Sequence, residues 1–307
     1  MIFSLPLGKT TTECLGSYFE ANFLIKMSHF IFINNQIIKA DDANISIAQR
    51  GFLYGDGAFE SCKISASKII NLENHLWRLA QALQYLKISC DLKIIEKNSQ
   101  ILINKNNFHD GILRISVTRG IGSQGYLPIN IADPLTISDT LVIIETKKSI
   151  DPPAQINLGV SYRNPAGFFF KSHSALNYVL TRIEAHEQGF FDNILIDDFG
   201  NICETSSANI FWIKNKKIFT SKDESRIVQG CIRKKILQLK SIITVKRNAK
   251  LMEILDADEV FITNSNYILL GVDSINYEIN GEKSRKIYSK NFAEIIKNEL
   301  QKELIEF

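Results

Sequence analysis

The chain has 307 residues, 45% hydrophobic and 22% charged, with a net charge of +3. That is ordinary globular composition for about two domains, and the mild, evenly spread charge does not point to nucleic acid or an anionic membrane. Five irregularly spaced cysteines without a CxxC pair, no HExxH-like histidine pattern and no apolar run near the roughly 20 residues that span a bilayer argue against a disulfide framework, a zinc or other metal site and a membrane span; they fit a reduced, cytoplasmic compartment.

Residues 1–26 contain Glu13 and Glu20 and lack a basic start before an apolar stretch, so they do not read as a secretory signal. Met27 precedes a strong strand signal, and residues 1–26 are expected to be an extension of the folded chain or a misplaced start. From Phe30, FIFINNQII is two apolar runs hinged on Asn34-Asn35, a hairpin signal. RGFLYGDGAFESCKI follows, with Gly51, Gly55 and Gly57 punctuating a strand-forming sequence. Leu76, Leu79, Ala80 and Leu83 recur at helical spacing, and a second helix is expected from about Lys93 to Asn106. Asp110-Gly111 turns the chain into the strand ILRISVTRG, and TLVIIET closes this half.

Asp151-Pro152-Pro153 is the expected linker, since Pro-Pro continues neither a helix nor a central strand. Domains are therefore expected at 27–150 and 151–307. The second half opens with the strand INLGVSY and the irregular RNPAGFFF. A helix over SALNYVLTRIEAHEQG carries Leu176, Val179, Leu180 and Ile183 on one apolar face and stops at Gly189. NILID, a turn at 198–201 and NIFWI read as antiparallel strands; a helix starts near Gly230, and the strand EVFIT ends at Asn264-Ser265. Strands with inserted helices, without regular βαβα alternation, predict an α+β fold of two domains, each a sheet covered by helices. The glycine clusters at 55–57 and 120–125 do not lie between a strand and a helix as a dinucleotide-binding fold requires.

Several residues could carry chemistry. Lys171 follows Phe168-Phe169-Phe170; a desolvated lysine becomes a nucleophilic amine, although a snorkelling lysine at a sheet edge has the same neighbours. Glu204, in ICETSSANIFW, wants a cationic partner if buried and none if it sits in an exposed turn. Thr205, Ser206 and Ser207 suit a phosphate or a plain turn. Gly230-Cys231-Ile232 opens a helix whose free N–H groups could hold an anion. Arg119 continues the strand face of Leu113, Ile115 and Val117, where it could clamp a substrate carboxylate or close a structural salt bridge. Arg78 lies off the apolar stripe of its helix, which by pattern alone makes it a solvated residue.

The joint order of these segments resembles the fold-type IV enzymes of pyridoxal 5′-phosphate (PLP), the family of class IV aminotransferases and 4-amino-4-deoxychorismate lyase. KSHSALNYVLTRIEAHEQG, from Lys171 to Gly189, is similar to the Schiff-base lysine segment, with Ser174 where Asn is common. ICETSSANIFW resembles the segment that places a carboxylate on the pyridine nitrogen; IVQGCIRKKI and ADEVFITNS resemble phosphate-binding segments. RGFLYGDGAFES, NHLWRLAQAL and VTRGIGSQGY match the family's first half, so the resemblance runs from about residue 27 to about 272.

The resemblance implies roles residue by residue. Lys171 binds PLP and moves protons; Glu204 partners the ring nitrogen; Arg78, Ser206, Ser207, Cys231, Ile232 and Ser265 anchor the phosphate. Phe59 and Glu60 face the site, Arg119 holds a substrate carboxylate, and Gln124 stands in the substrate loop. That loop, RGIGSQGY, looks like the RGxGxRGY of aminodeoxychorismate lyases, with Gln124 replacing the second arginine. The expected activity is therefore release of pyruvate and 4-aminobenzoate for folate synthesis. The alternatives are an amino-acid transaminase of branched-chain or D-amino-acid type with a keto-acid acceptor, and a catalytically silent relative that binds PLP or a protein partner, which the intact Lys171, Glu204 and Arg78 set argues against. The implied partners are a small amino-acid-like substrate and a second copy in a homodimer.

Overall fold

The computed structural model describes residues 29–122, 125–128 and 140–305. The extension expected at 1–26 and the loop residue Gln124 lie outside the described residues. Strands β1 (Phe30–Ile33), β2 (Gln36–Lys39), β3 (Gly57–Ser65), β4 (Lys68–Ile69), β5 (Gly111–Thr118) and β6 (Leu141–Lys147) form an antiparallel sheet in the order β2-β1-β6-β5-β3-β4. The expected hairpin is present: Asn34, at φ 54°, turns β1 into β2 with Ile33 opposite Gln36. Along β3 the strand period of two buries Ala58, Glu60, Cys62 and Ile64 on one face. Helices α2 (Leu72–Leu86) and α3 (Leu92–Lys105) follow α1 (Arg50–Tyr54), and they cover that face with Leu79, Leu83, Ile95 and Leu102. Asp91 caps α3 by accepting from the N–H groups of Lys93 and Ile94. Burying each Leu or Ile side chain contributes roughly 1.5–3 kcal/mol, which gives this layer its cohesion.

The second half contains β7 (Asn157–Ser161), β8 (Asp192–Ile196), β9 (Ile202–Thr205), β10 (Asn209–Lys214), β11 (Lys217–Thr220), β12 (Thr244–Lys246), β13 (Glu259–Asn264), β14 (Ile268–Gly271), β15 (Ser274–Ile279) and β16 (Glu282–Ile287). They build two five-stranded sheets, β12-β11-β10-β13-β14 and β16-β15-β7-β8-β9. Leu158, Ile194, Ile210, Trp212, Val260 and Ile275 share the core between them. The outer face of the first carries Phe211 and Phe261 against α5 (Cys231–Gln238) and α7 (Asn291–Ile305); α6 (Leu251–Leu255) packs into the inner core. The fold is α+β as expected, and this half holds two sheets where the sequence suggests one.

The expected apolar stripe of α4 (Leu176–Glu187) exists, but it does not face the core. Leu176, Val179, Leu180 and Ile183 are 67%, 51%, 37% and 49% exposed, and the buried residues of the helix are Thr181 and Ala185. Periodicity reports that a helix has an apolar side; it does not report what covers that side.

Candidate active site

The two halves are stitched together at the end of β3. Phe59 N–H donates to the Lys171 carbonyl at 2.9 Å, and His173 N–H to the Gly57 carbonyl at 3.1 Å. Gly55, at φ +66°, ends α1; a Cβ there would lie 2.5 Å from Ser174 Oγ, so a glycine is needed for the Lys171 segment to approach. Phe170 plugs into the core of the first half, and Tyr85 packs against all three phenylalanines before Lys171. The aromatic run thus anchors Lys171 at a cavity of about 140 Å³ lined by residues of both halves. Two wider surface clefts, about 660 and 770 Å³, contain neither Lys171 nor Glu204.

Lys171 Nζ lies 5.2 Å from the centre of the Phe59 ring. Burial, then the nearby Arg78 cation, lower its pKa and enlarge the fraction of uncharged amine. Glu204, 3% exposed, lies on the same cavity. Its oxygens accept from Tyr178 Oη at 2.7 Å, Asn209 Nδ2 at 3.0 Å and Val228 N–H at 3.2 Å. Burial nevertheless pushes its carboxyl up to about 7. Those donors hold the charged form in place, and a cationic partner would complete its stabilisation.

The remaining wall carries groups that could hold an anion. Arg78 is 3% exposed rather than solvated, because Glu60 waits behind it: Nε and Nη2 donate to the two Glu60 oxygens at 2.7 Å each. Nη1 donates to the Gln229 carbonyl across the halves. Glu60 also meets His75 Nδ1 at 2.7 Å. Burial alone would raise the Glu60 carboxyl, but Arg78 and then His75 override it and hold it at about 2. Glu60 therefore lies beneath Arg78 and is not among the residues that line the cavity. Gly230 caps α5 without a side-chain hydrogen bond, leaving the N–H groups of Cys231 and Ile232 at the cavity wall. A Cβ on Gly230 would lie 2.1 Å from Asn209 Oδ1, the residue that also holds Glu204. Ser265 Oγ lines the same end and touches His75 Nε2 at 3.1 Å.

Other sequence-derived candidates have different partners. Ser206 and Ser207 line the cavity, but their hydroxyls donate to the fully buried Asp192 at 2.6 and 2.7 Å, as does the Ser206 N–H. Arg119 takes the structural alternative: it donates to both Asp56 oxygens and to the carbonyls of Leu86 and Lys87, and it does not line the cavity. Four residues were not singled out from the sequence: His75, Tyr178, Asp192 and Arg114. His75 stands three positions before Arg78, hence on the same helix face, which is the one available signal. Arg114 stacks 4.0 Å over Phe59 and has Glu145 only at 3.9 Å. Burial lowers its pKa, as expected of a cation short of a close counter-charge.

Residues 57–275 match the model of the amino-transferase class IV family. The chain belongs to that family. A putative branched-chain-amino-acid aminotransferase of Methanocaldococcus jannaschii is 31% identical over 87% of this chain and 92% of its own length. An aminodeoxychorismate lyase of Bacillus subtilis is 26% identical over 87% of this chain and 95% of its own. In fold, the crystal structure of 4-amino-4-deoxychorismate lyase from Pseudomonas aeruginosa superposes with a TM-score of 0.75 at 21% identity, covering 89% of this chain and 99% of that one. Class IV aminotransferases are PLP-dependent enzymes. The residues present fit that cofactor: an amine, a buried carboxylate short of a cation, and an arginine with a hydroxyl and two backbone N–H groups line one cavity.

Proposed function

We propose that this class IV enzyme is an aminodeoxychorismate lyase that releases pyruvate and 4-aminobenzoate, a folate precursor. The observation that carries the reading is the glycine-spaced loop RGIGSQGY at 119–126, which resembles the lyase loop. Arg50 seats its described end by donating to the carbonyls of Gly125 and Tyr126 at 2.8 and 3.0 Å, and Gly125 N–H donates to Tyr54 Oη.

When bound, PLP supplies an electron sink for the pair released at the substrate. Lys171 would supply the amine that holds the cofactor, and the same amine, when free, would accept and return a proton at the reacting carbon. Its lowered pKa suits both tasks. Glu204 would hold the positive charge at the ring nitrogen, while Arg78, Ser265 and the N–H groups of Cys231 and Ile232 would hold the phosphate. Phe59 walls the cavity beside Lys171, and Arg114 stacks on that ring. Arg119 acts by fixing Asp56 at the root of the substrate loop. We assign the exposed apolar face of α4 to a homodimer interface.

Amino-acid transamination is the second reading, favoured by the identity to the M. jannaschii relative. A paired assay separates the two. Lyase activity predicts pyruvate and 4-aminobenzoate in equal amounts from aminodeoxychorismate without any added keto acid. A parallel assay supplies 2-oxoglutarate with a panel of L- and D-amino acids. Amino transfer there, without 4-aminobenzoate in the first assay, overturns the lyase reading.

A further inference from the structure

We infer that Arg50 and Tyr54 of α1 are positioning residues for substrate: they hold the loop at 119–126 in fixed register with the Lys171 segment. This rests on the reading of that loop as the substrate loop. Arg50 is 2% exposed, and its guanidinium is pinned at three points. Nε donates to Asp56 Oδ2 at 2.8 Å, while Nη1 and Nη2 donate to the carbonyls of Gly125 and Tyr126. Its backbone N–H donates to the Gly120 carbonyl at 2.8 Å. Tyr54, one turn on, accepts from the Gly125 N–H at 3.0 Å, and its ring meets Tyr126 edge-on at 5.7 Å. Arg119 closes the root of the loop by donating to both oxygens of the same Asp56. A Cβ on Gly122 would lie 2.7 Å from Arg50 Cδ, a stem that cannot swing aside while its head is held. Gly125, at φ +86°, takes the left-handed conformation open to glycine and so presents its N–H to Tyr54 and its carbonyl to Arg50.

The far end of the same stretch is tied to the cofactor segment. Ser174 Oγ lies 3.3 Å from the Gly55 carbonyl, which it can meet as a donor. The Gly57 carbonyl accepts from His173 N–H, and Phe59 N–H donates to the Lys171 carbonyl. Residues 50–59 thus grip the loop at their start and the Lys171 segment at their end. A loop carried this way has its geometry set before substrate arrives, so less ordering is left to offset binding. Neither Arg50 nor Tyr54 lines the Lys171 cavity. Their loss therefore weakens substrate capture and leaves cofactor binding intact.

The test reads three quantities in wild type, Tyr54→Phe and Arg50→Lys. PLP affinity comes from cofactor absorbance. KM and kcat come from whichever assay wild type passes, aminodeoxychorismate lysis or amino transfer. Exchange of the Gly125 amide is followed by NMR on the apo protein. Tyr54→Phe removes one hydrogen bond, which predicts a KM raised about 3- to 10-fold and Gly125 exchange faster by a similar factor, with PLP affinity and kcat within about twofold. Arg50→Lys keeps a cation but loses the fork, and its KM should rise about 10- to 100-fold. Should Arg50→Lys not fold, Tyr54→Phe carries the test alone. An unchanged KM, a fall in PLP affinity that matches the rise in KM, or unchanged Gly125 exchange overturns the inference. If wild type turns over neither substrate, the proposed activity fails and Gly125 exchange decides the rest: acceleration in Tyr54→Phe supports the fixed register, and no change overturns it.

Discussion

Glu204 illustrates what burying a carboxylate without a cationic partner costs the protein that holds it. Its carboxyl is pushed from 4.5 to about 7 by burial, although three groups donate to it. Between those values the folded state binds more protons than the unfolded one, so this residue's contribution to stability falls as pH rises through that window. The full penalty, roughly 3 kcal/mol from the size of the shift, is present above pH 7 and absent below 4.5. Apo Glu204→Gln is therefore expected to gain stability relative to wild type as pH rises from 5 to 8, measured by urea unfolding, while binding PLP more weakly. A stability difference that does not change with pH would show that the buried charge is not the cause. At this scale the sequence was readable where a motif carries the residue. Lys171 and Glu204 were picked out by their neighbours together with a family resemblance. The partners of Arg78 and Arg119 were not, because Glu60 with Arg78, Gln229 with Arg78, and Asp56 with Arg119 are pairs that only folding brings together.

At the scale of elements, local signals were reliable and coverings were not. The Asn34-Asn35 hairpin, the helix over the Leu76 to Leu83 repeat and the helix start at Gly230 depend on turn chemistry and periodicity, and all three are present. The apolar stripe of α4 was also legible, yet Leu176, Val179 and Ile183 face outward. An exposed apolar face of this kind marks an association surface, and a second copy is the partner the family resemblance implies. Wild type is expected to sediment as a dimer at micromolar concentration. Val179→Glu with Ile183→Glu should shift it toward monomer without changing its circular dichroism. A wild type that is monomeric at that concentration would remove the assignment.

At the scale of the whole molecule, two sheet systems of different design meet at one small cavity. The first half brings Phe59 and Arg78; the second brings Lys171, Glu204, Ser265 and the start of α5. Their alignment depends on a few cross-connections, among them the Phe59 to Lys171 backbone bond and the Arg78 to Gln229 bond. The order of segments suggests two sheet-containing halves, but the second sheet of the C-terminal half is hidden, since a list of strands does not say how they divide between sheets. Among the described residues no helix is long and apolar enough to cross a membrane. The central claim is that this amine carries the cofactor. Borohydride reduction of the PLP-loaded protein, followed by peptide mass spectrometry, tests it directly. The account predicts one phosphopyridoxyl group on the peptide containing Lys171, and none after Lys171→Ala. A label on another lysine, or no label in excess PLP, would contradict it.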